Sequence, residues 1–181
     1  AEHASNTLPW FDVAEETGAV VKYIELDEEG RMTLENVKKA VTENTKIISL
    51  AIVTNVLGYE VPIKEITEYA HSKDIIVVAD GAQSVPHIVT DVVRDDVDFL
   101  AFSGHKMCGP TGVGVLYGKY ELLEETKPTR FGGGSNSRYN SCGLVTLKEP
   151  PYKFEAGTPH ILAELFHQEH TEWPADDGED D

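Results

Sequence analysis

Two short apolar runs constrain this chain more than any other feature: Lys46 to Val53 (KIISLAIV) and Ile75 to Ala79. The first reads as a strand covered on both faces and the second as another buried strand. Between them Pro62 suits the first turn of a helix that continues through Ile66, Tyr69 and Ala70. Upstream, residues 19–26 (AVVKYIEL) predict a strand. Gly30 then introduces a helix capped by Thr33 and running to about Val41. Downstream, residues 95–102 and 113–117 predict two more strands. Strands alternating with helices define the fold class as α/β, a mostly parallel sheet with helices on both faces. In such sheets the carboxyl ends of the strands form the ligand edge. That rule gathers Asn55, Asp80 and the segment from Ser103 to Lys106 on one rim.

At 181 residues the chain has room for one domain of ordinary size with a real core, and not for a second large one. No apolar run approaches the roughly 20 residues that span a bilayer, and Ala1-Glu2-His3-Ala4 lacks the pattern of a secretion signal. The expected location is therefore the cytoplasm, with no membrane partner. A formal charge of −17 argues against a nucleic acid partner, because phosphate backbones reward clustered Lys and Arg. Two cysteines, Cys108 and Cys142, make no disulfide framework, and no spaced His/Cys cluster suggests a metal. Three regions are expected: a core over residues 1–130, a Gly- and Asn-rich segment over 131–159, and a divergent acidic tail over 160–181.

The chemistry-bearing residues are Asp80, which ends an apolar run, and Lys106, which follows 26 residues later in the glycine-rich loop GHKMCGPTGVG. A carboxylate beside a pyridine nitrogen keeps it protonated, and a primary amine condenses with an aldehyde. Together they are what an enzyme needs to hold pyridoxal 5'-phosphate. From the residues alone a surface lysine in a glycine turn and a strand-end Asp capping Gly81-Ala82-Gln83 remain open. Gln83 and Asn55 can donate to a ring hydroxyl or satisfy loop backbone groups. Ser103 and His105 flank the lysine with groups suited to a phosphate, or close the turn. The hydrolase elbow, the dinucleotide fingerprint and the nucleotide phosphate loop are all missing.

Several motifs in order carry a resemblance: EHASN with LPW, VTNVLG, VVADGAQSVPH, DFLAFSGHKMCGPTGVGVLYG, FGGG and KFEAGTP. The chain resembles the class V aminotransferase superfamily of fold-type I pyridoxal phosphate enzymes, most closely the SufS-like cysteine desulfurases, from Glu2 to about Pro159. The resemblance implies the large domain of that fold, in part, with the small C-terminal domain missing. It implies His3 as the histidine stacked over the cofactor ring and moving protons, and Asn55 and Gln83 near the ring hydroxyl. It makes Asp80 the pyridinium partner, Ser103 and His105 phosphate ligands, Lys106 the lysine joined to the cofactor, and Thr158 a phosphate contact in a neighbouring subunit. The implied reaction turns L-cysteine into L-alanine with persulfide sulfur passed on for iron-sulfur cluster assembly, by a homodimer and with a sulfur-acceptor protein. Three departures set an alternative beside it. The family's N-terminal phosphate segment has no counterpart here, and neither Cys108 nor Cys142 matches the persulfide cysteine. An arginine for the substrate carboxylate is also expected to be absent. The alternative is a catalytically incomplete cofactor-binding or structural fragment, or another class V activity such as a selenocysteine lyase.

Overall fold

The computed structural model describes residues 1–161, 163 and 165, so the expected acidic tail over 160–181 lies almost wholly outside the described residues. The chain divides into two compact units. One holds Ala1–Phe102 with Val115–Tyr117, and the other holds Ser103–Gly114 with the described residues from Gly118 on.

The first unit is built on a sheet. Strands β1 (Ile47–Ala51) and β2 (Ile76–Asp80) pair in parallel, with Ile47 opposite Ile76 and Ala51 opposite Asp80. Strand β3 (Phe99–Ser103) pairs in parallel with β2, and β4 (Gly114–Gly118) completes the order β1-β2-β3-β4. Helix α1 (Leu8–Thr17) precedes the sheet and stops at Gly18, whose φ of +75° only glycine adopts without strain. Helix α2 (Leu34–Ala40) starts at Thr33, whose hydroxyl accepts the Asn36 amide N–H while the Asn36 side chain accepts the Thr33 amide N–H. Helix α3 (Ile63–His71) buries Ile63, Ile66, Thr67 and Ala70, the spacing of a helix with one face in the core. Along β2 buried and half-buried residues alternate, so Val77 and Ala79 are sealed together with Leu50, Ile66 and Val37.

Three expectations are corrected. Residues 19–26 belong to no strand, and Val20 is 90% exposed. The apolar character is there, but a strand exists only where a neighbour completes the hydrogen-bond ladder. The run expected as a strand from Asp95 begins four residues later, because Asp91 caps a single turn, α4 (Val92–Asp95), by accepting the Val93 and Arg94 amides. Pro62 also sits one position earlier than expected, at the cap of α3 rather than inside its first turn.

The second unit carries a one-turn 3-10 helix at Gly104–Met107, helix α5 (Tyr120–Glu125), and an antiparallel hairpin of β5 (Asn136–Tyr139) and β6 (Val145–Leu147). The hairpin was not anticipated within the Gly- and Asn-rich segment. Its turn is held by the Asn140 side chain, which accepts the Cys142 and Leu144 amides, and by Gly143 at φ +82°. Lys153 is buried and donates from Nζ to the Glu124 carbonyl at 2.8 Å. Among the described residues no helix is long and apolar enough to cross a membrane, and no cluster of three metal-ligating side chains occurs.

Candidate functional site

Four of the expected site residues lie in the first unit. Asp80 is the last residue of β2, half-buried, and its Oδ1 accepts the Ala82 amide at 2.9 Å. Among the described residues that is the one hydrogen bond of its side chain, so a carboxylate with two oxygens and several lone pairs keeps acceptor capacity to spare. Gly81 makes the arrangement possible. A Cβ there would fall 2.7 Å from Leu100 Cδ1 and 3.0 Å from Val85 Cγ2, so only glycine lets the chain turn directly after the strand.

That turn returns Gln83 to the end of β1, where its side-chain amide donates to Asn55 Oδ1. The Asn55 NH₂ and the second Gln83 N–H remain as donors beside the strand ends. Gln83 is itself steadied by His87, whose Nδ1–H donates to the Gln83 carbonyl at 2.7 Å.

His3 caps the 3-10 turn Ala4–Asn6, its Nδ1 accepting the Ser5 amide at 3.2 Å. An Nδ1 that accepts leaves the proton of the neutral ring on Nε2. The turn is bolted to β1 by residues that sequence reasoning missed. Glu2 accepts the Ala51 amide at 3.0 Å and the Asn6 side-chain NH₂ at 2.7 Å, while Asn6 Oδ1 accepts the Ser49 hydroxyl at 2.6 Å. The EHASN motif held both Glu2 and Asn6, but nothing near them in sequence names Ser49 or Ala51 as partners.

The other four residues belong to the second unit. Ser103 leads into the 3-10 turn that carries His105, exposed, and Lys106, half-buried. Gly104 is buried and anchors this turn twice. Its amide donates to the Val113 carbonyl at 2.9 Å and its carbonyl accepts the Gly109 amide at 3.0 Å. The lysine thus projects from a closed loop rather than from a free helix surface. Thr158 is exposed, in the Gly-Thr-Pro segment at the far end of the unit's chain. The structure therefore brings Asn55 and Gln83 into contact, sets Asp80 on the same turn, and groups Ser103, His105 and Lys106 on one turn.

The donor set fits pyridoxal phosphate. Asp80 is an acceptor for a pyridinium N–H, the Asn55–Gln83 pair presents N–H donors for a ring oxygen, and Ser103 with His105 offers donors for a phosphate beside the Lys106 amine.

Comparison with known proteins points the same way. A protein of Halalkalibacterium halodurans named "Probable cysteine desulfurase" is 49% identical over 166 residues, which is 91% of this chain and 40% of that protein. The cysteine desulfurase of Haloferax volcanii is 44% identical over 88% of this chain and 37% of its own length. The chain thus spans about two fifths of the length of these relatives. Among solved structures, the Escherichia coli cysteine desulfurase CsdA superposes with a TM-score of 0.92 at 39% identity, over 97% of this chain and 44% of that one. An apo cysteine desulfurase from Thermococcus onnurineus gives a TM-score of 0.88 at 38% identity, over 93% and 42% of the two chains. The α/β sheet with flanking helices is the scaffold of these enzymes, of which this chain covers the central part. Residues 1–178 match the aminotransferase class V family, and the chain belongs to that family of pyridoxal 5'-phosphate enzymes.

Proposed function

We propose that this chain is the cofactor-holding part of a cysteine desulfurase-type enzyme, and that these 181 residues bind pyridoxal phosphate without turning over L-cysteine by themselves. The observation that carries the reading is the end of β2, where Asp80 keeps spare acceptor capacity beside the Asn55–Gln83 amide pair. A strand-end Asp serving only as a turn cap does not call for a side-chain amide bond that ties the loop after it to Asn55, 28 residues away.

In this reading Asp80 accepts from the ring nitrogen, Asn55 donates to the ring oxygen, and Ser103 and His105 hold the phosphate. Lys106 supplies the amine that anchors the cofactor and carries protons, and Nε2 of His3 is a second proton carrier. Thr158 reaches the phosphate in a second copy of the chain. Bound pyridoxal phosphate supplies an electron sink for bond cleavage in the amino acid. The complete reaction would move sulfur from L-cysteine to an enzyme thiol: the carbon–sulfur bond breaks, a sulfur–sulfur bond forms, and the thiol proton is retained in the products, L-alanine and a persulfide. Its sulfur would then pass to an acceptor protein for iron-sulfur cluster assembly.

The incomplete state is favoured by the thiols. Cys108 ends the lysine turn and Cys142 lies in the hairpin turn, both exposed, and among the described residues neither Sγ has a hydrogen-bond partner.

Titration with pyridoxal phosphate tests the reading. The expected result is a saturable visible absorbance band that Lys106→Ala abolishes, with no alanine released from added L-cysteine. A band of equal strength in Lys106→Ala would overturn the cofactor assignment. Steady alanine release from the chain alone would overturn the incompleteness.

A further inference from the structure

The FGGG motif, residues 131–134, is packed against the segment that carries Thr158. The Gly157 amide donates to the Gly133 carbonyl at 2.8 Å. A Cβ on Gly132 would lie 3.3 Å from the Gly157 nitrogen and 3.5 Å from both the carbonyl carbon and the Cβ of Ala156. Gly134 has φ +93°, and a Cβ there would meet the Glu155 and Gly157 carbonyls at 3.6 and 3.8 Å. The loop is closed by the buried Ser135, whose hydroxyl donates to the Gly132 carbonyl at 2.9 Å.

Two backbones approach this closely only where one lacks side chains. The contact is specific to position, because a Cβ on Gly133, the middle glycine, would meet nothing within 4 Å. A glycine run serving only as a flexible crossing would show neither the hydrogen bond to Gly157 nor the graded crowding. Thr158, the residue next to the clamped Gly157, is exposed.

We infer that Gly132 is a positioning residue: the Gly132–Gly134 loop is a rest against which Ala156–Gly157 is seated, and it sets where the Thr158 hydroxyl meets the cofactor phosphate. This rests on the function proposed above, in which Thr158 contacts that phosphate. A side chain at Gly132 must push Gly157 away by a few tenths of an ångström, enough to spoil a hydrogen bond that needs placement within about 0.5 Å.

The discriminating measurement is the ratio of affinities for pyridoxal phosphate and for pyridoxal, which lacks the phosphate, in the full chain. A merely structural role would lower both affinities and leave the ratio alone. Thr158→Val is expected to lower the ratio about tenfold and Gly132→Ala about three- to tenfold. Gly133→Ala is expected to leave it unchanged. Hydrogen exchange of the Gly157 amide should quicken in Gly132→Ala and not in Gly133→Ala. Should Gly132→Ala fail to fold, Ser135→Ala loosens the same loop from its other side, and the same drop in the ratio is expected. An unchanged ratio in Gly132→Ala while Thr158→Val lowers it overturns the inference and leaves the proposed function standing. Equal damage from Gly132→Ala and Gly133→Ala also overturns it. No preference for the phosphate form in the unaltered chain, or no effect of Lys106→Ala on binding, overturns the proposed function and this inference with it.

Discussion

Asp98 and Asp80 lie at opposite ends of the same sheet, and their surroundings differ in kind. Asp98 precedes β3 at the amino end, and its side chain is 7% exposed. One of its oxygens accepts the Val77 amide at 2.7 Å and the His71 Nε2–H at 2.9 Å, while His71 Nδ1 lies 3.1 Å from Asp96. Asp80 ends β2 at the carboxyl end with a single amide on one oxygen. A carboxylate that serves the fold has its acceptor sites filled by the fold; one that serves a ligand keeps some in reserve, and that reserve costs stability the rest of the core must offset. The pair teaches how to separate the two uses without a ligand in view.

The largest test of the contrast is Asp98→Ala. It orphans the Val77 amide and removes the Nε2 partner of the half-buried His71, so a loss of about 3 kcal/mol is expected in urea unfolding. Asp80→Ala removes one turn bond and is expected to cost only about 1 kcal/mol. Its larger effect should fall on pyridoxal phosphate affinity, about 10- to 100-fold, the worth of a hydrogen bond to a charged group. Were Asp80→Ala as destabilising as Asp98→Ala, with cofactor affinity unchanged, the contrast would collapse.

Gly81→Ala probes the same end by steric means. Overpacking against Leu100 and Val85 should cost about 2 kcal/mol, read as a lowered urea midpoint, and displace Gln83 from Asn55.

A third aspartate sets the lower bound. The Arg94 and Val93 amides that Asp91 caps hold its carboxyl below the ordinary 3.8. A depressed folded value means the stabilisation is complete above the unfolded value and is lost as pH falls through the folded one. Asn caps as well as Asp but does not titrate. Asp91→Asn should therefore flatten only the acid limb of the midpoint-against-pH curve, below about pH 4, and leave neutral stability nearly as it is. A clear loss at pH 7 would show that the negative charge itself, and not only an acceptor oxygen, carries the cap.

Much of the scaffold could be read from local pattern. Strands β1 and β2, the cap at Thr33 and the turn after Asp80 each depend on residues within a few positions of one another, and each is where the pattern puts it. Residues 19–26 show the limit, since apolar alternation says that a segment is extended and not that a neighbour is present to pair with it. The hairpin β5–β6 was obscured for a related reason: its strands are short and mostly exposed, β5 is largely polar, and its signal is the Asn140–Gly143 turn rather than a hydrophobic run.

The identities of the chemical groups, a carboxylate, two amides, an amine, an imidazole and hydroxyls, were written in the chain and read from it directly. Their partnerships were not. Gln83 meets Asn55 across 28 residues, Glu2 meets the Ala51 amide across 49, and Gly157 is seated on Gly133. Short-range rules such as caps, turns and periodicity are settled by a few dihedral angles, and so leave a trace in neighbouring residues. Which distant side chains come within 3 Å depends instead on the register of β1 against β2 and on how two loops close-pack, and those exist only once the whole chain has folded.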